Sequence, residues 1–171
     1  MRLTFGKIPA NGRHRCSAAV CVPRVLLCSI MLHACAACAD VTPARVTEIA
    51  PGVYLHQGVT VPFSDPQRGD IANNGFIVGD QCVAVIDTGG SLQTGALLRN
   101  AIGRVTHLPV CYVINTHVHF DHVLGNKSFA GDRPEFLGHA GLVEAMAASR
   151  AFFLKDFSAE LGGNPTAEFV I

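Results

Sequence analysis

The sequence predicts an α/β fold built on a strand–helix–strand unit whose two strands are parallel. Two apolar, β-rich runs at residues 82–86 and 110–115 are separated by a segment with helical periodicity. Ser91 is a suitable N-cap for this helix, which is predicted to run through Arg104. A helical crossover between strands makes them parallel. Functional side chains are therefore expected just after the carboxyl ends of both strands.

The remaining elements follow from apolar alternation and from turn-forming glycine and proline. Short strands are predicted at residues 46–49, 53–56, 76–78 and 136–138, with a loop over 60–73. The strand at 76–78 is expected to pair with the run at 82–86 across the turn Gly79-Asp80-Gln81. A long helix is predicted over residues 140–161. Its apolar stripe is expected to pack in the core and consists of Leu142, Met146, Phe153, Phe157 and Leu161.

Residues 1–39 differ from the rest of the chain and are predicted to be a secretory signal peptide. They contain five basic residues and no acidic residue. An apolar run at residues 25–32 and the small residues before Asp40 complete the pattern, so cleavage is expected after Ala39. The run is too short for a spanning helix, and the protein is expected in the periplasm or outside the cell. A lipoprotein anchored at Cys35 is the alternative.

Residues 40–171 are predicted to be the mature domain. They hold eight basic and thirteen acidic residues, a net charge of −5, which disfavours binding to nucleic acid or anionic lipid. Five of the seven cysteines lie in the leader, so Cys82 and Cys111 remain. Each begins a β-rich run. A disulfide bond between them and two buried free thiols are both open alternatives.

Three histidines and an aspartate cluster directly after the strand at 110–115. Residues two apart in an extended chain point the same way, so His117 and His119 are expected to face one metal ion together. Asp121 and His122 follow at a turn and are expected to approach a second position. Imidazole and carboxylate ligands suit zinc, or iron where the site stays open. Asp87, at the end of the neighbouring strand, is predicted to hold a ligand histidine in orientation.

These residues resemble a known metal motif. Asn115-Thr116-His117-Val118-His119-Phe120-Asp121-His122, continuing to Gly125-Asn126, is similar to the His-x-His-x-Asp-His motif of the metallo-β-lactamase superfamily. Residues 74–80 and 83–89 resemble that family's first β-hairpin and its Asp-Thr-Gly turn. Within that superfamily, the motif sequences most resemble those of the periplasmic zinc metallohydrolases associated with quinoprotein and sulfur-oxidation systems. The similarity covers about residues 46–160. It implies an αββα fold with a two-metal site at the edge between two sheets.

The resemblance also implies a function, namely zinc-dependent hydrolysis. His117 and His119 would bind one zinc and Asp121 and His122 another, and the metal-bound hydroxide would attack a carbonyl-type small molecule such as a β-lactam, thioester or lactone. Asp121 would also take up a proton. A quinoprotein-system partner is a further implication. The alternatives are a mononuclear iron oxygenase of sulfur compounds and a catalytically inactive binding protein.

The sequence departs from that family in its ligands. Members have a second, pseudo-symmetric half that supplies further ligands, none of which has a counterpart here. His56, His107 and His139 are not expected to bind metal. The chain is therefore expected to be the first half of the domain, with one mixed sheet and flanking helices, and residues 167–171 read as a strand cut in mid-run. Alone it should bind zinc weakly and be inactive. A half-domain that dimerises is the alternative.

Overall fold

The computed structural model of the protein describes residues 44–163. The predicted signal peptide at 1–39, its predicted cleavage site, Cys35 and the strand predicted at 167–171 lie outside the described residues. Six strands form one mixed sheet whose order follows the chain: β1 Val46–Ala50, β2 Val53–His56, β3 Asn74–Val78, β4 Val83–Ile86, β5 Val110–Asn115 and β6 Glu135–Gly138. The helices are α1 Leu92–Val105, α2 Phe120–Val123 and α3 Leu142–Asp156. Pro66–Asp70 and Asn126–Asp132 are 3₁₀ segments.

The predicted strand–helix–strand unit is confirmed. The pairs β1–β2, β2–β3 and β3–β4 are antiparallel, whereas the pairs β4–β5 and β5–β6 are parallel. Helix α1 makes the crossover from β4 to β5. Its N-cap is Ser91, whose Oγ accepts a hydrogen bond from the Thr94 amide at 3.0 Å. Because β4 and β5 run the same way, the residues that follow them meet at one edge of the sheet.

The core lies in two clusters. One packs α1 and the Asn126–Asp132 segment on one face of the sheet, and its buried members are Phe76, Val83, Val85, Leu98, Ile102, Val110, Val113 and Phe129. The other packs α3 against the end of α2 and consists of Val123, Leu124, Met146, Phe153, Phe157 and Leu161. On the opposite sheet face, Ile77 and Tyr112 are exposed. None of the helices between residues 44 and 163 has the length and apolar character needed to cross a membrane.

The long helix predicted over residues 140–161 is shorter in the structure. Helix α3 covers Leu142–Asp156, and Phe157 has left the helical region with φ −124° and ψ 29°. The chain then continues in turns and still delivers Leu161 to the same cluster, since the Leu161 amide donates to the Phe157 carbonyl at 3.1 Å. A turn closed by a hydrogen bond between residues four apart keeps the helical spacing of the apolar side chains. The predicted stripe of side chains is therefore confirmed, whereas the predicted helix boundaries are wrong.

Cys82 and Cys111 are free, partly buried thiols, so the disulfide alternative is not formed in the structure. A disulfide would require Cys82 and Cys111 to lie in matched register on neighbouring strands. In the sheet, Val83 pairs with Val110 and Ala84 pairs with Tyr112, and the register shifts between them. The cysteines are therefore offset along the strands. They remain neighbours within hydrogen-bonding reach, and the contact with the Cys82 thiol raises the pKa of the Cys111 thiol.

Candidate metal centre

The motif lies where the chain leaves β5 and enters α2. His117 and His119 are in the extended stretch, and His119 is the N-cap of α2 with φ −64° and ψ 147°. Asp121 and His122 lie in the single turn of that short helix. The change from extended to helical backbone directs both pairs of side chains to the same end of the parallel strands. The first pair of side chains thus comes from extended backbone and the second pair from helical backbone.

The structure brings the four motif side chains together. Nε2 of His117 and Nδ1 of His119 are 3.1 Å apart, and the rings of His117 and His122 have centroids 4.0 Å apart. Nε2 of His122 is 3.5 Å from Oδ2 of Asp121. Two nitrogens bound to one tetrahedral zinc lie about 3.3 Å apart, given Zn–N distances near 2.0–2.1 Å. The spacing within each pair therefore suits two ligands of one ion.

A complete metal shell is not present among these residues. Within the described part of the chain, no set of three or more His, Cys, Asp or Glu side chains is arranged to hold one ion. A zinc site needs about four ligands, with three from protein when water fills the last place. The donor chemistry of the motif fits zinc, but it does so as two pairs.

Asp87 anchors the motif to the end of β4. Its buried carboxylate accepts hydrogen bonds from the Thr116 amide (2.8 Å), from the Thr116 hydroxyl (2.7 Å) and from Nδ1 of His122 (2.8 Å). Asp87 also has a positive φ of 55°, which is rare for a non-glycine residue outside functional sites and turns. The residue predicted to orient a ligand histidine thus contacts both ends of the loop that carries the ligands.

This arrangement perturbs both ionisable groups. Burial alone would raise the pKa of the Asp87 carboxyl, but the hydrogen bonds from His122 and Thr116 hold that pKa below its ordinary value. The hydrogen bond to Asp87 in turn raises the pKa of His122. Since Nδ1 of His122 donates to a carboxylate, Nε2 is the nitrogen left for a metal.

A hydrogen-bond chain sets the same tautomer in His117, with the proton on Nδ1. The Thr116 hydroxyl donates to Asp87, so Nδ1 of His117, 2.9 Å away, is the donor to that hydroxyl. Nε2 of His117 is then left with its lone pair. Partial desolvation and the adjacent His122 and His119 lower the pKa of His117, which favours its neutral imidazole. Neutral imidazole is the form that binds metal.

The turn after β4 contributes close backbone packing that the sequence analysis did not assign. The Thr88 amide donates to the His122 carbonyl at 3.0 Å, and the Gly125 amide donates to the Gly89 carbonyl at 2.9 Å. A Cβ at Gly125 would lie 2.1 Å from the Thr88 oxygen, and one at Gly90 would lie 2.9 Å from Cα of Asp121. Glycine is therefore required where the turn meets the motif. In the sequence, the signal for this packing is the presence of glycine residues shortly after Asp87-Thr88 and shortly after His122.

Aromatic side chains also pack against the motif, at Phe120. Phe120, between two motif residues, stacks on Phe157 with centroids 4.3 Å apart and meets the edge of Phe63 at 5.6 Å. The Arg68 guanidinium lies 4.9 Å from the Phe63 centroid and 4.8 Å from the Phe157 centroid. Arg68 also donates to the Glu160 carboxylate and to the Asp156 carbonyl. The loop before β3, the motif and the end of α3 are thus joined.

The other histidines among residues 44–163 lie away from the motif. His56 is buried in β2, where Nε2 lies 2.8 Å from the Asp70 carboxylate and Nδ1 lies 3.0 Å from the Arg45 carbonyl. His139 is exposed and accepts a hydrogen bond from the Gly141 amide through Nδ1. His107 is exposed in the loop between α1 and β5. The carboxylate partner of His56 lies 14 positions away along the chain and was not predicted from the sequence.

Comparison with known proteins agrees with this description. Residues 68–148 match the family model of the metallo-beta-lactamase superfamily. No curated protein sequence matches the chain. Among solved structures, the metallo-beta-lactamase from Hirschia baltica is similar at a TM-score of 0.54 and 20% identity, over 64% of this chain and 49% of that one. Metallo-beta-lactamase FIM-1 from Pseudomonas aeruginosa, solved in a mono-zinc form, is similar at 0.54 and 16%, over 64% and 47%.

A third similar structure is the metallo-beta-lactamase from Erythrobacter litoralis, at a TM-score of 0.52 and 20% identity, over 61% of this chain and 45% of that one. Identities this low show a shared fold and nothing about substrate. The chain spans about half the length of each of these structures. The match to the metallo-beta-lactamase superfamily model thus covers residues 68–148, and the similarity to the solved structures shows a shared fold.

Proposed function

We propose that the protein to which this chain belongs is a zinc-dependent hydrolase. The observation that carries the proposal is the 3.1 Å separation of Nε2 of His117 and Nδ1 of His119, beside a second pair made by Asp121 and His122. Zinc bound there would lower the pKa of a bound water and polarise a carbonyl oxygen. Both effects promote hydrolysis at neutral pH.

The residues of the motif would have distinct roles. His117 and His119 would hold one ion, and Asp121 and His122 would hold the second. Asp87 would keep Nε2 of His122 directed at the metal through the 2.8 Å bond to Nδ1. The Asp121 side chain is 19% exposed, so its carboxylate is accessible for proton uptake during turnover.

The substrate class follows from this chemistry in outline. Polarisation of a carbonyl and delivery of water suit small molecules with an activated acyl group, namely β-lactams, thioesters and lactones. The similar solved structures are described as metallo-beta-lactamases, so a β-lactam is the first substrate to test. A partner in a quinoprotein system remains part of the proposal, and it would be sought among proteins that co-purify with this one.

The test uses protein isolated from its natural source without added metal. Metal analysis is expected to find zinc, and a chromogenic β-lactam, a thioester or a lactone is expected to be hydrolysed. Exchange of both His117 and His119 for alanine should remove metal and activity together. The matched control is His139→Ala, because this histidine is exposed and away from the motif. One iron per chain with oxygen consumption on a sulfur compound would favour an oxygenase instead.

We also propose that the protein is exported and cleaved between Ala39 and Asp40. The support is the basic, acid-free leader and its apolar run. Amino-terminal sequencing of protein from the periplasmic fraction should begin at Asp40. A chain that begins at a lipidated Cys35, or one that retains Met1, would contradict the proposal.

A further inference from the structure

Two buried amide side chains close the base of the metal-binding loop, defined here as residues 116–125. Asn115 is the last residue of β5 and Asn126 is the first residue of the following 3₁₀ segment, and they are 3% and 2% exposed. Nδ2 of Asn126 donates to Oδ1 of Asn115 at 2.7 Å, and Nδ2 of Asn115 donates to Oδ1 of Asn126 at 3.1 Å. Reciprocal bonds of this kind fix how far apart the two ends of the loop lie.

The amide pair also reaches the backbone of a motif residue. Nδ2 of Asn115 lies 3.3 Å from the His122 carbonyl oxygen, which also accepts from the Thr88 amide at 3.0 Å. The Thr88 hydroxyl lies 3.2 Å from that carbonyl and 2.8 Å from Oδ1 of Asn126. The peptide group of His122 is therefore held by donors from the end of β5 and from the turn after β4.

We infer that Asn115 and Asn126 are positioning residues for the Asp121 and His122 end of the metal site. The inference rests on the metal binding proposed above. The side chain of His122 is oriented by Asp87, but its backbone is oriented by the amide pair and Thr88. In low dielectric surroundings such a network is strong when complete and costly when one partner is lost. Loss of either amide should let the α2 turn shift relative to Asp87.

The effect should be selective within the motif. His117 and His119 come before α2 in the extended stretch, and their rings contact Thr116, His122 and each other. The amide pair reaches the motif through the bond from Nδ2 of Asn115 to the His122 carbonyl. A general loss of stability would weaken all four ligands alike, whereas loss of positioning should act first at Asp121 and His122.

The test compares Asn115→Ala and Asn126→Ala with Val85→Ala in the full chain. Val85 is fully buried in the core cluster under α1, so its exchange lowers stability through the packing of that cluster. Binding of Co²⁺ is measured by its visible absorption, which reports the ligand set. Amide hydrogen exchange at Thr88 and Gly125 is measured without metal. Asn126→Ser is the milder variant if Asn126→Ala does not fold.

Both asparagine variants should bind Co²⁺ at least about tenfold more weakly than the wild type, with an altered spectrum. They should exchange the Thr88 and Gly125 amides faster, while Val85→Ala keeps the affinity within about twofold of the wild type. Asparagine variants that match Val85→Ala in affinity, spectrum and exchange would overturn the inference. A wild-type chain that binds no Co²⁺ would instead contradict the metal binding proposed for the motif, and exchange at Thr88 and Gly125 would then decide whether the pair holds the loop.

Discussion

The carboxylate of Asp87 lies 2.8 Å from Nδ1 of His122, although 35 positions separate the two residues in the sequence. The contact joins the ends of two parallel strands, because Asp87 follows β4 and His122 follows β5. It leaves Nε2 of His122 as the nitrogen available to a metal. This relationship makes the role of Asp87 testable apart from that of the ligands.

Asp87→Asn should weaken metal binding without unfolding the protein. Asparagine tolerates the positive φ of 55° at this position but does not provide the charge that holds the His122 imidazole. Loss of such an outer partner typically costs about 10- to 100-fold in metal affinity. Competition for Zn²⁺ with a chromophoric chelator measures the effect. Asp80→Asn, in the exposed turn after β3, is the control, and equal affinities for the two variants would contradict the role.

Two glycine substitutions should act in opposite directions. Gly125→Ala places a Cβ 2.1 Å from the Thr88 backbone oxygen, so the motif must move and stability should fall by roughly 2 kcal/mol or more. Gly103→Ala lies within α1 and meets nothing within 4 Å, so it should stabilise the protein by about 0.5–1 kcal/mol. Urea denaturation measures both. A neutral Gly125→Ala would show that the turn and the motif are not closely packed.

Arg68 should matter more than a more exposed arginine with a similar ion pair. Its guanidinium lies beside two aromatic rings and bonds to Glu160, with side chains 21% and 10% exposed. Arg68→Ala is expected to cost about 1–2 kcal/mol, since packing and a charge-assisted hydrogen bond are both lost. Arg99→Ala removes a pair with Asp132 whose arginine is 45% exposed, and it should cost less than about 1 kcal/mol. Thermal unfolding that ranks them in reverse would refute this assignment.

The His56–Asp70 contact should make stability depend on pH. A hydrogen bond with Asp70 raises the pKa of His56 above its ordinary value of 6.5. The bond therefore contributes fully below that pH, and its contribution is lost as pH rises through the higher pKa of the folded state. His56→Ala should lose more unfolding free energy relative to wild type at pH 5.5 than at pH 8.5, by roughly 1 kcal/mol. His107→Ala, exposed in its loop, should show no such difference.

Local sequence signals predicted most of the fold and the position of the motif. Strand β5 and the motif follow each other directly in the chain, so one stretch of sequence predicts both the strand and the candidate ligands. The Ser91 cap and the βαβ unit are likewise local patterns. Asp87 could be placed near the motif because parallel strands end at the same edge.

The remaining contacts depend on residues far apart in the chain. Arg68 meets Glu160 across 92 positions, and Thr88 meets Asn126 across 38, which no periodicity encodes. The register shift between Val83 and Ala84 displaces the two cysteines by an amount too small to read from strand spacing. The end of α3 was misplaced because the turns after Asp156 continue the apolar period of the helix.

The most direct measurement is a Zn²⁺ titration of the 171-residue chain, followed by dialysis against a chelator. With His117 and His119 as one pair and Asp121 and His122 as the other, zinc should bind weakly, be removed by the chelator and support no hydrolysis. Exchange of His117 and His119 for alanine should abolish the binding, whereas Cys82→Ser should leave it nearly unchanged. Stoichiometric zinc retained through dialysis, together with turnover of a β-lactam or thioester, would contradict the expectation that this chain supplies only two ligands per ion and would indicate a dimer that completes each site.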